Sequence, residues 1–527
     1  MALIQGRVGS GASELKWSPD GTKLAFISDR ENHSFVAVYD FTAKTVTYMD
    51  PSVDHDSSPV WSPDGRQIAF IRVFHTDSSA RGPQRGSTEP WSIRIANVAD
   101  GTAHQVWRAD QGPGSVFHAM VAETQLFWSA EGQIVFPWEK DGWLHLYTVR
   151  VDGGKVVALT PGDFEVEHVS FTDDGDHGND TLFSSNQNDI DRRHIWRVSV
   201  AGGPARAVTS GQGIEWSPVA IAGGIAYLHS DARRPARAAV KLDTAERDLA
   251  PESIPADFPA DSLVAPQQLI YSSADGMTIH AQLFLPADLS VGQKRPAIVF
   301  LHGGSRRQMV LGWHYREYYS NAYAMNQYLA NHGYIVLAIN YRSGIGYGLN
   351  FREALRYGAY GASEFSDVEG AGLYLRGRAD VDGARIGLWG GSYGGFLTAL
   401  GLARDSELFK AGVDFHGVHD WNAEYPSIGP LDGTVQIEAA REEAAHLAFD
   451  SSPLASIKTW RSPVLLIHGD DDRNVGFSQT VNLAGALRAQ GVYFEQLIIP
   501  DEIHEFLRHG SWLKAYNATV DFFARKL

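Results

Sequence analysis

The chain has no cysteine among its 527 residues, which excludes disulfides, thiolate nucleophiles and cysteine-ligated metals. Long apolar runs are missing too: nothing approaches the ~18–20 residues needed to cross a bilayer. The opening, MALIQGRVGSGASELKW, lacks the basic start and apolar stretch of a secretory leader. Positive charge is in short supply, with 45 Lys and Arg against 62 Asp and Glu. The net charge of −17 argues against a nucleic-acid partner, because phosphate contacts need clustered cations. These absences point to a soluble, cytoplasmic protein with no membrane or nucleic-acid partner. The sequons at Asn32, Asn179 and Asn517 then read as chance matches.

What is present falls into two halves with different patterns. At this length two large domains are expected. The first half repeats itself: LKWSPDGTKLAFIS around Trp17 returns as PVWSPDGRQIAFIR around Trp61. Weaker copies centre on Trp128, Phe171 and Trp216. Each copy is a short strand, a Pro-Asp-Gly-type turn and an alternating apolar strand, which is the pattern of a hairpin. A period of roughly 45 residues with several short strands per unit points to propeller blades, with at least five visible. An open β-sandwich is the alternative. The polar stretch His75–Pro90, with Arg81 and Arg85, lengthens the second unit and is placed to reach toward the cleft.

Leu249–Pro266, rich in proline and acidic residues, suits neither helix nor central strand and reads as a connector. Beyond it PAIVFLHGG, YIVLAINYR, RIGLWGG, AGVDFHG and SPVLLIHGD are continuous apolar runs, as in strands buried on both faces of a parallel sheet. Helical stretches such as NAYAMNQYLANHG and TVNLAGALRAQG alternate with them. The expectation is a β-propeller over residues 1–262 and an α/β-hydrolase domain over 263–527.

Within GLWGGSYGGF, Ser392 follows a strand and precedes a helix, the setting in which Gly-x-Ser-x-Gly forms a nucleophile elbow. A serine at so tight a turn takes an unfavourable backbone conformation, so Gly390 and Gly394 must lack side chains. A phosphate loop is excluded because no Lys-Ser/Thr follows the glycines. The serine needs an acid and a base. LLIHGDDDRNV ends a buried strand with Asp470, Asp471 and Asp472, among which spacing does not choose. PDEIHEF ends the next strand with His504, read here as the base in preference to His509. His302 ends the first strong strand, where α/β-hydrolases place a second oxyanion donor. His416 and His419 show no third metal ligand nearby and read as satisfied or exposed imidazoles. No metal or organic cofactor is expected.

GGSYGG, NYRSGIGYG, LLIHGDDDRNV and PDEIHEF, after SADGMTIHAQLFLP, closely resemble the prolyl oligopeptidase family of serine peptidases. The resemblance covers the C-terminal half. It extends more loosely into the repeats, where WEKDGWLHLYTV and LTPGDFEV are similar to the dipeptidyl-peptidase and acylaminoacyl-peptidase branches. It implies that Asp472 is the acid and that Asn474 helps bind a substrate carbonyl. LHGGS follows the acylaminoacyl pattern, which implies a backbone N–H near Gly303 as oxyanion donor beside that of Tyr393. Relatives carry more blades than the five counted here, and the paired glutamates that hold a free amino terminus are not found.

The expectation is a serine peptidase cutting short peptides, with Trp421 and Tyr425 either lining the pocket before the cut or serving as core. An esterase or acylaminoacyl hydrolase is one alternative. A propeller scaffold with a vestigial hydrolase is another. Exo or endo action, and monomer or homo-oligomer, stay open.

Overall fold

The computed structural model describes residues 11–30, 32–74, 85–122, 124–172, 179–243, 245–424 and 438–527. Among the described residues, twenty strands between Gly11 and Asp248 fall into five consecutive antiparallel meanders of four. The first two are joined by a single parallel bridge, Ser34 to His55. In both, the Ser-Pro-Asp-Gly turn forms the same way. Gly21 and Gly65 each take φ +69°, which a side chain would resist. The Ser18 and Ser62 hydroxyls cap their turns, bonding Asp20 and Asp64 and accepting the N–H of Lys23 and Gln67.

Neighbouring meanders share cores. Ala25, Ile27, Val36 and Val38 of the first pack on Trp61, Ile68 and Phe70 of the second. Ile71, Ile93 and Ile95 pack on Phe136, Trp138 and Tyr147 of the third. Further clusters join the third to the fourth and the fourth to the fifth. Among the described residues no apolar cluster joins the fifth meander to the first.

Two short 3-10 turns, Pro251–Ser253 and Ala260–Ser262, lead into an eight-stranded sheet. Its strands are β1 Gln267–Ser272, β2 Thr278–Phe284, β3 Arg295–Leu301, β4 Ile335–Asn340, β5 Val381–Gly391, β6 Ala411–Phe415, β7 Val464–Gly469 and β8 Phe494–Ile499. They lie in the order β1-β2-β4-β3-β5-β6-β7-β8, with β2 antiparallel to its neighbours and the rest parallel. Alternate residues serve opposite faces: Ala297, Val299 and Leu301 join one core, Ile298 and Phe300 the other. Helices cover both faces, so the parallel strands can be apolar throughout. No helix among the described residues is long and apolar enough to cross a membrane.

The two halves are bound by buried polar contacts. Arg352 makes a two-pronged ion pair with Glu139, at 2.5 and 2.7 Å. Glu165 accepts the N–H groups of Gly346 and Gly348, and Asp191 accepts the Tyr347 hydroxyl at 2.7 Å. From the polar stretch of the second repeat, Arg85 donates to Glu353 O at 2.9 Å and Asn350 Oδ1 at 3.2 Å. It is thereby anchored on the other half. Arg81 lies outside the described residues.

Candidate active site

β5 runs straight into the helix Tyr393–Arg404, and Ser392 is the residue between them. Its φ of 58° and ψ of −119° are strained for a residue with a side chain. The packing requires it: a Cβ at Gly390 or Gly394 would strike the carbonyl of Leu301 on β3. The Ser392 N–H is held by Phe415 O at 2.9 Å and faces His416 Nδ1 at 3.1 Å.

Of the three aspartates after β7, Asp470 accepts the Asp501 N–H and Asp471 pairs with Arg473, both at the surface. Asp472 turns inward and meets His504 Nδ1 at 2.6 Å. The same oxygen contacts His468 Nε2 at 3.1 Å, and the other accepts the N–H groups of Asn474 and Val475 at 2.8 and 2.9 Å. Burial opposes ionisation here, but the hydrogen bonds from His468 and His504 outweigh it and hold this carboxyl well below the usual range. His509 opens the terminal helix His509–Lys526, beyond the Asp472–His504 pair.

Gly303 lies beside the serine, since a Cβ there would meet Ser392 Cβ at 3.3 Å. The His302 ring points away into the core, stacked on Tyr341 with ring centroids 4.2 Å apart. Burial pushes its pKa down to about 3, so it stays neutral, and only its backbone borders the site. The Tyr393 side chain is buried, with its hydroxyl donating to Glu364. The Asn474 side chain is exposed. Trp421 packs on Tyr393 and Phe396 with little exposure, and Tyr425 lies outside the described residues.

Two features escape a reading of the sequence. Glu364, in no motif, is fully buried beneath the elbow, and desolvation raises its carboxyl to about 7 despite the Tyr393 and Gly358 hydrogen bonds. His416 corrects an expectation. His419 is satisfied by Asp414 at 2.6 Å and Gln479, but His416 is buried with Nε2 unpartnered, its ring centroid 4.2 Å from that of His504. Burial, together with His504 and His468, holds His416 far below the ordinary imidazole pKa. One ligand atom each from His416, Asp472 and His504 lie within 4.8 Å of one another, a set able to hold a metal ion. As they stand, both Asp472 oxygens accept hydrogen bonds, the arrangement of a general-base pair.

Residues 320–527 match the prolyl oligopeptidase family model, and residues 98–236 match that of the dipeptidyl peptidase IV N-terminal region. The chain carries a prolyl oligopeptidase family domain. It is 25% identical to dipeptidyl-peptidase 5 of Porphyromonas gingivalis over 524 residues, 95% of this chain and 64% of that protein. It is 30% identical over 248 residues to an uncharacterized peptidase, YuxL, of Bacillus subtilis, 46% of this chain and 36% of that one. The chain therefore spans under two thirds of the length of these curated relatives. In fold it is similar to a puromycin-hydrolyzing peptidase of Mycobacterium tuberculosis, with a TM-score of 0.79 at 22% identity over 99% of this chain and 80% of the other. An acylaminoacyl peptidase of Pyrococcus horikoshii gives 0.63 at 22% identity over 98% and 88%. Both likenesses in fold span the row of small sheets and the eight-stranded sheet together.

Proposed function

We propose that the chain is a serine peptidase that cleaves short peptides through an acyl-enzyme on Ser392. The observation that carries this reading is the 2.6 Å contact between His504 and a buried Asp472, linked through the His416 ring to a serine held in a strained turn. His504 Nε2 removes the hydroxyl proton as Oγ attacks the scissile carbonyl, while Asp472 fixes the tautomer and stabilises the imidazolium. The N–H groups of Tyr393, at the helix start, and of Gly303 receive the oxyanion. His504 then returns its proton to the departing amine, and water repeats the sequence to release the acid. Asn474 is assigned to a substrate carbonyl and Trp421 to the pocket for the residue before the cut.

Residues 1–262 act as the propeller and 263–527 as the catalytic domain. Parallel-sheet sites open at strand carboxyl ends, where the repeats bind the 308–352 segment, so the repeats restrict access to small peptides. Ser392→Ala is expected to cut kcat/KM by more than ~10³-fold without loss of folding, and to abolish fluorophosphonate labelling. Peptide and ester substrates with the same acyl group separate this reading from an esterase. Labelling that survives Ser392→Ala refutes it.

A further inference from the structure

Two adjacent arginines follow the Gly303–Gly304 strip, and the fold treats them differently. Arg306 is fully engaged, donating to Ser343 O at 2.7 Å, to Arg352 O, to Glu353 at 2.9 Å and to the Tyr357 hydroxyl at 3.0 Å. Arg307 donates from Nη1 to the neighbouring Arg306 O at 2.7 Å, while its Nε is buried with no hydrogen-bond partner. Among the described residues no carboxylate oxygen lies within 4.0 Å of its guanidinium. The Tyr319 hydroxyl is a polar neighbour: burial raises its pKa and the Arg307 charge draws it back down.

This half-buried cation stands beside the proposed nucleophile. A Cβ at Gly304 would meet Arg307 Cγ at 3.0 Å and Cζ at 3.8 Å. One residue back, a Cβ at Gly303 would meet the Tyr319 hydroxyl at 3.2 Å and Ser392 Cβ at 3.3 Å. Guanidinium, phenol, oxyanion strip and serine are therefore contiguous. The side of the cleft follows from the strand order: Arg307 comes after β3 and Trp421 after β6, and these strands flank β5 on opposite sides. Arg307 thus lies across the serine from Trp421 and Phe396, which pack at Tyr393 on the side assigned to the acyl segment.

We propose that Arg307, with the Tyr319 hydroxyl, forms a subsite for a carboxylate on the leaving segment of a peptide. This rests on the serine-peptidase reading above. A guanidinium fork matches a carboxylate in two-pronged fashion, and a half-buried cation without a carboxylate partner has little to give up on binding one. The carboxylate is either the terminal group of a one- or two-residue leaving segment or an acidic side chain within it.

The test uses three peptides with one acyl segment: a free terminal carboxylate, a terminal amide, and an amide-capped segment containing Asp. Wild type is expected to favour one or both carboxylates over the amide by about tenfold or more in kcat/KM, mainly through KM. The larger ratio identifies the source. Arg307→Ala should bring the ratio to about one, and Arg307→Lys should restore part of it. A wild-type ratio near one, a ratio that survives Arg307→Ala, or equal losses on all three peptides overturns the proposal. Calorimetric binding of the same peptides to Ser392→Ala protein reads the subsite without turnover. A carboxylate preference there that Arg307→Ala removes supports the subsite even if the peptidase reading fails, and no preference there overturns it.

Discussion

In the eight-stranded sheet the side chains proposed for chemistry stand at the ends of strands that share two continuous cores. In the row of small sheets each core joins only two neighbours, and the buried charges Glu139, Glu165 and Asp191 end on the other half of the molecule. A continuous core can hold Ser392, Asp472 and His504 in register from three different strand ends. A chain of pairwise cores places a wall and ties it down. Trp17 and Trp61 make the second point within the repeats. Both end a first strand with the same bulge, with Glu14 and Ser58 at φ 49° and 57°. Yet Trp61 is 8% exposed and Trp17 59%. Trp61 lies against the first meander, its indole donating to Lys16 O at 3.0 Å, whereas no described meander lies against Trp17. Neighbours, not residue type, set burial in a repeat.

The sharpest break between the halves should appear in activity. His504→Ala is expected to lower kcat/KM by more than ~10³-fold with the melting temperature nearly unchanged, while His509→Ala stays within about threefold. Comparable losses at both positions would remove His504 from its role.

Stability should show the reverse. Arg352→Met leaves Glu139 buried without its cation and should cost about 3–5 kcal/mol in denaturant unfolding, or split one transition into two as the halves separate. Trp61→Ala should cost about 3–5 kcal/mol and Trp17→Ala under about 1 kcal/mol, because only the first opens a cavity between meanders. Equal costs would mean that Trp17 is covered in solution.

The smallest effect concerns Glu364. Its folded pKa, about 7, lies above the ordinary carboxyl value, so the protonated form is the one the fold favours. The stability it contributes is fully present below the unfolded pKa near 4.5 and is lost as pH rises through about 7. Melting temperature followed from pH 5 to 8 should fall less steeply in Glu364→Gln than in wild type. Parallel curves would mean that Glu364 does not titrate in this window.

Much of the fold is legible in the sequence because the signals are local. A Ser-Pro-Asp-Gly turn needs φ > 0 at its glycine, as Gly21 and Gly65 show. A strand apolar at every position but its last, such as β4, can only be buried on both faces. Gly390 and Gly394 around Ser392 announce a turn in which a Cβ has no room. The charged residues of the repeats are harder to read: Glu139 and Arg352 stand far apart in sequence and become partners only when the halves meet.

The sequence by itself determined the order of elements, the strained turn at Ser392 and a histidine after the last strand, each a matter of backbone geometry within a few residues. Only the tertiary structure decided that Asp472 turns toward His504 while Asp470 and Asp471 face solvent. It alone set Glu364 beneath Tyr393, brought His416 against His504, and left Arg307 without a carboxylate among the described residues while Arg306 found one. The reason is physical: hydrogen-bond partners, desolvation and exposure come from groups distant in the chain, and no residue carries them in its own identity.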